Sequence, residues 1–137
     1  MRYLLILVLF SLLMNSFNCS FQSTIFNSMN KKKRGDNLII SPLSIFQALS
    51  LVANGAKKNT QSEILDLLQT DSIDELNEIN YQILKALNSF GTIDIANAVM
   101  TRFTPLEEFI NIAQKYLAPI EPLKSAEQVN DWCSNKT

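Results

Sequence analysis

Side chains that commonly act in catalysis are sparse in this sequence. The chain contains no histidine, which excludes a Ser–His or Cys–His nucleophile pair and histidine-based metal ligation. Glu107 and Glu108 are adjacent carboxylates, but neighbouring side chains diverge on a helix and make a poor general acid–base pair. Three glycines among 137 residues provide no glycine-rich loop for a phosphate. The sequence therefore predicts no enzyme and no bound cofactor.

Hydroxyl groups within an apolar segment are the more informative feature. Residues 37–60 read NLIISPLSIFQALSLVANGAKKNT, in which Ser41 and Ser44 interrupt an almost continuous apolar run. Pro42 suits the first helical position, where its missing amide proton costs nothing. The residues alone therefore predict that Ser41 is an ordinary helix cap.

Composition limits the size of the fold and the kind of partner. The chain has 137 residues, 47% of them hydrophobic, and a net charge of −1, which suits one small globular domain. A polyanion patch at Lys31–Arg34 is conceivable, but one short basic run without interleaved aromatic residues favours a solvated turn. We expect no nucleic-acid partner.

The N-terminus has the pattern of a secretory signal peptide. Arg2 is followed by the apolar run Tyr3–Met14 and then by the small and polar residues NSFNCS. The alternative, a membrane span, needs about 20 apolar residues, more than this run provides. We therefore expect residues 1–20 to be a signal peptide and the protein to be secreted. If Cys19 leaves with the signal, Cys133 remains as a lone cysteine, for which a buried packing role is favoured over a reactive thiol.

Hydrophobic periodicity predicts a mixture of helices and short strands after the signal. A helix is expected over Phe21–Asn30, and another begins at Pro42 and ends near Asn54 and Gly55. Within it the polar residues Ser44, Gln47 and Ser50 lie three apart, and a helix so apolar must be surrounded by protein. Strands are predicted at 38–40, 92–100 and, as an edge segment with two prolines, 119–123.

Four helix starts are predicted from capping pairs. In each pair a hydroxyl residue is followed three positions later by Glu or Gln, so that side chains and backbone amides bond reciprocally. The pairs are Thr60 with Glu63, Ser72 with Glu75, Thr104 with Glu107, and Ser125 with Gln128.

Together these segments resemble the serpin family in order and over nearly all of the chain after the signal. The resemblance is carried by NLIISPLSIFQALSLVANGAKKNTQSEIL, IDIANAVM, FINIAQKYLAPIEPL and AEQVNDWCSNKT. It implies an α+β fold in which residues 21–137 form the N-terminal part of a serpin domain, with several helices packed on a partial central sheet. It also implies that the helix after Pro42 is buried beneath that sheet.

The resemblance assigns a structural role to several polar residues. Serpins trap a serine or cysteine protease when it cleaves an exposed loop, which then inserts into the sheet. By position Asn37, Ser41, Pro42, Ser44 and Asn97 lie at the shutter, where the sheet strands part. Small hydroxyls suit this place because they can form hydrogen bonds in either sheet arrangement. For Ser41, a simple helix cap remains the alternative.

The reactive loop and the C-terminal half of the family's fold are absent from this sequence. We therefore expect that this chain does not inhibit a protease by itself. The alternative is a non-inhibitory secreted binding protein that acts through exposed sheet edges. Unpaired strands and exposed apolar surface also predict self-association.

Two further expectations concern ligands and modification. The helix that corresponds to the heparin-binding helix of some serpins carries Asp74, Glu75 and Glu78 against Lys85, which argues against heparin. Asn135 begins the glycosylation sequon Asn-Lys-Thr and is therefore a candidate for modification in a secreted chain.

Overall fold

The computed structural model describes residues 19–32, 37, 39–90 and 95–136. Within these ranges the chain forms six helices and two short strands. The elements are α1 (Cys19–Lys32), α2 (Pro42–Gly55), α3 (Lys58–Leu68), α4 (Ile73–Phe90), β1 (Val99–Thr101), α5 (Glu107–Lys115), β2 (Ile120–Pro122) and α6 (Ala126–Lys136). Most of the predicted signal peptide lies outside these ranges, and none of the helices described is long and apolar enough to span a membrane.

Helix α2 is the central element, and α1, α3, α4 and α5 all pack against it. It begins as predicted, with Pro42 in its first turn and the Ser41 side chain accepting a hydrogen bond from the Ser44 amide. It ends at Gly55, but the following residue, Ala56, is extended rather than left-handed. Protein encloses the helix only in part, because Val52 remains exposed.

The hydrophobic core lies between α1, α2, α3 and α4. The Phe21 ring meets the Phe46 ring edge to face, with centroids 5.8 Å apart. The buried members of this core are Phe21, Phe46, Ala53, Leu68 and Leu76. This packing fixes α2 and α4 side by side and so determines which polar side chains of the two helices meet.

Two of the four predicted capping pairs are confirmed. The Ser72 hydroxyl accepts from the Glu75 amide at 3.2 Å, and the Ser125 hydroxyl accepts from the Gln128 amide at 3.2 Å. In both pairs the later side chain accepts from the backbone amide just before the serine, at 2.8 Å. These reciprocal bonds mark the starts of α4 and α6.

The other two predicted caps are wrong. Helix α3 begins at Lys58, so Thr60 lies inside the helix, and α5 begins only after Leu106 rather than at Thr104. Neither cap residue of the observed helices makes a side-chain capping bond. The backbone at the start of each helix accounts for the difference. Lys58, the first residue of α3, has a left-handed φ of 56°, so the chain bends there before Thr60. Leu106 is still extended, so α5 cannot begin before Glu107.

The sheet of the described residues consists of β1 and β2, which pair in parallel with Val99 opposite Ile120. Helix α5 connects them, as a parallel pair requires a crossover. Of the predicted strand 92–100, residues 92–94 lie outside the described ranges, residues 95–98 are not in a strand, and only 99–100 belong to β1.

The predicted strand at 38–40 is not seen in its described residues. Ile39 is 95% exposed and neither it nor Ile40 is in a strand. A strand needs a neighbour for its backbone hydrogen bonds, and the sheet described here contains only β1 and β2.

Candidate functional site

The candidate site is a network of polar side chains that links α2 and α4 to the segments around β1 and β2. We call it the amide network. Its members are Gln47, Ser50, Asn54, Asn77, Asn80, Asn97 and Tyr116. None of these residues carries a charge at neutral pH, so the network is held by hydrogen bonds between neutral groups.

Two contacts between α2 and α4 form the inner part of the network. Asn54 and Asn77 face each other as a reciprocal amide pair, with N–H···O distances of 2.9 and 3.0 Å. One turn away, Asn80 donates to the Ser50 hydroxyl at 3.0 Å, while that hydroxyl donates to the Phe46 carbonyl at 2.7 Å. These side chains replace apolar contacts between the two helices with directional bonds, which fix the register of α2 against α4.

Tyr116 connects this inner part to the chain that enters β2. Its hydroxyl donates to Asn77 Oδ1 at 2.7 Å, and its ring is buried. Burial raises the pKa of Tyr116 to about 12, and hydrogen bonding by Ser50 and Asn54 lowers it only in part. The Tyr116 hydroxyl therefore remains protonated at neutral pH and can donate its hydrogen bond to Asn77.

Asn97 joins the same network from the segment before β1. Its Nδ2 donates to the Tyr116 carbonyl at 3.0 Å and to Gln47 Oε1 at 3.3 Å. The Asn97 side chain thus contacts both the backbone before β2 and the Gln47 side chain on α2. The start of the two-stranded sheet is held onto the central helix at this point.

Three buried polar atoms have no hydrogen-bond partner among the described residues. They are Gln47 Nε2, Asn80 Oδ1 and Thr70 Oγ1. An unpaired buried donor or acceptor destabilises a fold by about 1 to 3 kcal/mol. Two of the three atoms belong to the amide network, which is therefore incompletely satisfied within the part of the chain described.

The structure brings together only some of the residues predicted for the shutter. The Ser44 hydroxyl donates to the Ser41 hydroxyl at 2.8 Å, so these two serines bond to each other at the start of α2 beside Pro42. Asn97 contacts Gln47 instead, further along α2. Asn37 is exposed. A role for these five residues at a shutter remains a prediction.

A cavity of about 450 Å³ lies between the sheet and α6. Asn97 and Glu121 contribute from the sheet side, and Trp132, Asn135 and Lys136 contribute from α6. Asn135 is exposed, as a glycosylation site requires, although its modification remains a prediction. Cys133 on the same helix is also exposed, so its predicted burial is wrong.

The chemistry available to the amide network is positional rather than catalytic. Carboxamides and hydroxyls at this spacing hold backbone segments in place, and they offer no activated nucleophile. Among the residues described, no group of three or more Cys, Asp or Glu side chains is arranged to hold a metal ion.

Most members of the network were not predicted as site residues. The polar stripe of α2 was recognised in Gln47 and Ser50, but its partners on α4 were not. Asn77 and Asn80 lie three apart, next to the core residue Leu76. Amides at helical spacing beside an apolar face are a signal that could have indicated polar pairing between the two helices.

The comparisons with known proteins agree on one family. The family model described as serpin (serine protease inhibitor) matches residues 16–137. Pig leukocyte elastase inhibitor is 27% identical over 90% of this chain and 36% of its own length. A mouse protein named as a serine protease inhibitor is 29% identical over 93% of this chain and 34% of its length. The chain thus spans about a third of the length of the relatives it matches.

A solved structure shows the same fold. Reactive-loop-cleaved human thyroxine-binding globulin superposes with a TM-score of 0.71 at 22% identity, covering 95% of this chain and 42% of that protein. The predicted fold class is confirmed, as the helices and the small sheet correspond to an incomplete serpin fold.

Proposed function

The chain belongs to the serpin family, and on that premise we propose that it is the N-terminal part of a secreted inhibitor of serine-type, and in some cases cysteine-type, endopeptidases. The observation that carries this proposal is the family match across residues 16–137, joined by relatives that are named as inhibitors. Members of this family are inhibitors rather than enzymes, and we infer the same for this chain. Residues 1–20 would be removed as a signal peptide, leaving 21–137 as the segment of the serpin domain.

In this proposal the segment supports the sheet and does not contact the protease. The amide network holds the start of β1 on α2 through Asn97 and Gln47, while Ser41 and Ser44 close the first turn of α2. The loop that a protease cleaves would belong to the remaining two thirds of the family's length. The target protease is accordingly a property of that remainder.

The first test reads the transcript through the codon after Thr137 and compares the resulting product with the chain 21–137. Leukocyte elastase is a suitable probe because three of the relatives are named as its inhibitors. We expect the frame to continue and the longer product to reduce peptidase activity, whereas chain 21–137 alone leaves the activity unchanged.

Two outcomes would contradict the proposal. One is a stop codon directly after Thr137. The other is a longer product that leaves elastase and a panel of other serine and cysteine proteases fully active. Inhibition by chain 21–137 alone would contradict only the assignment of the reactive loop to the remaining polypeptide.

A second candidate function is a secreted binding protein that acts through sheet edges. It is favoured by the two-stranded sheet, in which β1 and β2 each have one unpaired edge among the described residues. Exposed apolar side chains such as Ile39, Phe103 and Leu106 add to this surface.

For the chain 21–137 we expect concentration-dependent self-association, measured by sedimentation velocity. Unpaired strand edges and exposed apolar side chains both favour contacts between copies. A matched sample of Phe103→Ser, which removes one exposed ring, should associate less. A sedimentation coefficient that stays at the monomer value over the whole concentration range would argue against this expectation.

A further inference from the structure

Only one end of the Gln47 side-chain amide has a hydrogen-bond partner among the described residues. Gln47 is 3% exposed on the central helix α2. Its Oε1 accepts a hydrogen bond from Asn97, while its Nε2 has no partner among the described residues. A buried amide nitrogen offers two protons, and both are unused here.

The orientation of this amide is determined by its neighbours. The Tyr116 carbonyl can only accept, so Asn97 must present its NH2 group to it. The same NH2 group also faces Gln47, which must therefore present Oε1 as the acceptor. Exchanging the Gln47 oxygen and nitrogen would place two donors against each other. The unpaired group is therefore the Gln47 NH2, which needs an acceptor.

The surroundings indicate where such an acceptor would come from. Asn97 lies two residues before β1, and the edge of β1 opposite β2 carries no strand among the described residues. Asn97 also lines the cavity that Asn135 and Lys136, at the end of α6, border on the other side. A chain that continues beyond α6 starts beside this cavity.

We propose that Gln47 is a positioning residue whose NH2 group donates to a main-chain carbonyl of a strand that pairs with the free edge of β1. That strand would be supplied by the part of the serpin chain that this sequence does not include, so the inference rests on the proposed function. An extended strand brings a carbonyl with every residue and lies about 4.8 Å from its neighbour. It therefore supplies the acceptor that the buried amide lacks, at the sheet end that Asn97 holds on α2.

The test compares Gln47→Met in the chain 21–137 and in the longer product. Methionine keeps much of the side-chain volume and removes both amide protons. In chain 21–137 we expect no loss in the urea midpoint, because an unpaired donor disappears and Asn97 keeps its bond to the Tyr116 carbonyl. In the longer product we expect the melting temperature to fall by about 2 °C or more, because a strand carbonyl loses its donor.

Gln61→Met is the matched control. The Gln61 amide is already paired, since its Nε2 donates to the Ala53 and Ala56 carbonyls at 3.1 Å each. Its replacement should destabilise both chains. A second measurement needs no substitution: in the longer product the Gln47 side-chain NH2 signals should move downfield in the ¹⁵N–¹H spectrum, relative to chain 21–137, while the Gln61 signals stay in place.

The outcomes separate this inference from the proposed function. Equal destabilisation of both chains by Gln47→Met, or unchanged Gln47 signals, would overturn the role of Gln47 even if the longer product inhibits proteases. Loss of stability confined to the longer product, together with shifted signals, would support Gln47 even if that product inhibits none. A stop codon directly after Thr137 would overturn both.

Discussion

Leu76→Ala is expected to lower the free energy of unfolding by about 2 to 5 kcal/mol. Leu76 is 0% exposed and belongs to the core between α2 and α4. Truncation removes buried methyl groups and leaves a cavity that the two helices cannot close, because the amide pair of Asn54 and Asn77 holds them in register. Urea unfolding followed by circular dichroism measures the change.

The control for this prediction is Leu106→Ala. Leu106 is 75% exposed before α5, so the same truncation should change the unfolding free energy by no more than about 0.5 kcal/mol. If Leu76→Ala were as mild as Leu106→Ala, the core would not be packed as described. A broad unfolding curve without a midpoint in the parent chain would argue the same.

Tyr116 should make the protein lose stability at high pH. Burial raises the pKa of Tyr116 to about 12 from an ordinary value of 10, so the folded state retains the phenol proton longer than the unfolded state does. Below about pH 10 both states are protonated and the stabilisation is fully present. As the pH rises from 10 to 12 the unfolded chain ionises first, and about 2 to 3 kcal/mol of stability is lost.

The measurement is urea unfolding between pH 8 and pH 12 for the parent chain and for Tyr116→Phe. The variant lacks the ionisable phenol, so its stability should fall less than that of the parent chain over this range. At pH 8 the variant should be less stable by about 1 kcal/mol, because Asn77 loses the bond from the hydroxyl. Parallel pH profiles for the two proteins would show that Tyr116 is not buried as the structure has it.

The predictions from sequence succeeded where the deciding interactions are local. Ser41 and Pro42 specify the start of α2, and the pairs that begin with Ser72 and Ser125 specify the starts of α4 and α6. Each of these bonds connects residues three or four positions apart, so the local sequence is enough to predict where the helix begins. Thr60 and Thr104 show the limit of the same rule, because the backbone before each helix, not the motif, decided where α3 and α5 begin.

The strands were predicted less well because a strand depends on a neighbour distant in sequence. The segment at 119–123 was expected as an edge strand and contains β2, whose partner β1 lies about 20 positions earlier. At Ile39 the apolar, β-branched sequence is just as favourable, yet the described residues place no strand beside it. β-Propensity describes a fit to a sheet surface and does not by itself supply the sheet.

The sequence by itself determined the family and the order of the elements, since both follow from residue types and their order. Only the tertiary structure decided which polar side chains meet. Asn54 and Asn77 are 23 positions apart, and Gln47 and Asn97 are 50 apart. Such pairs form because the core sets α2 against α4 and α5 carries the chain back to the sheet, a geometry that no local pattern encodes.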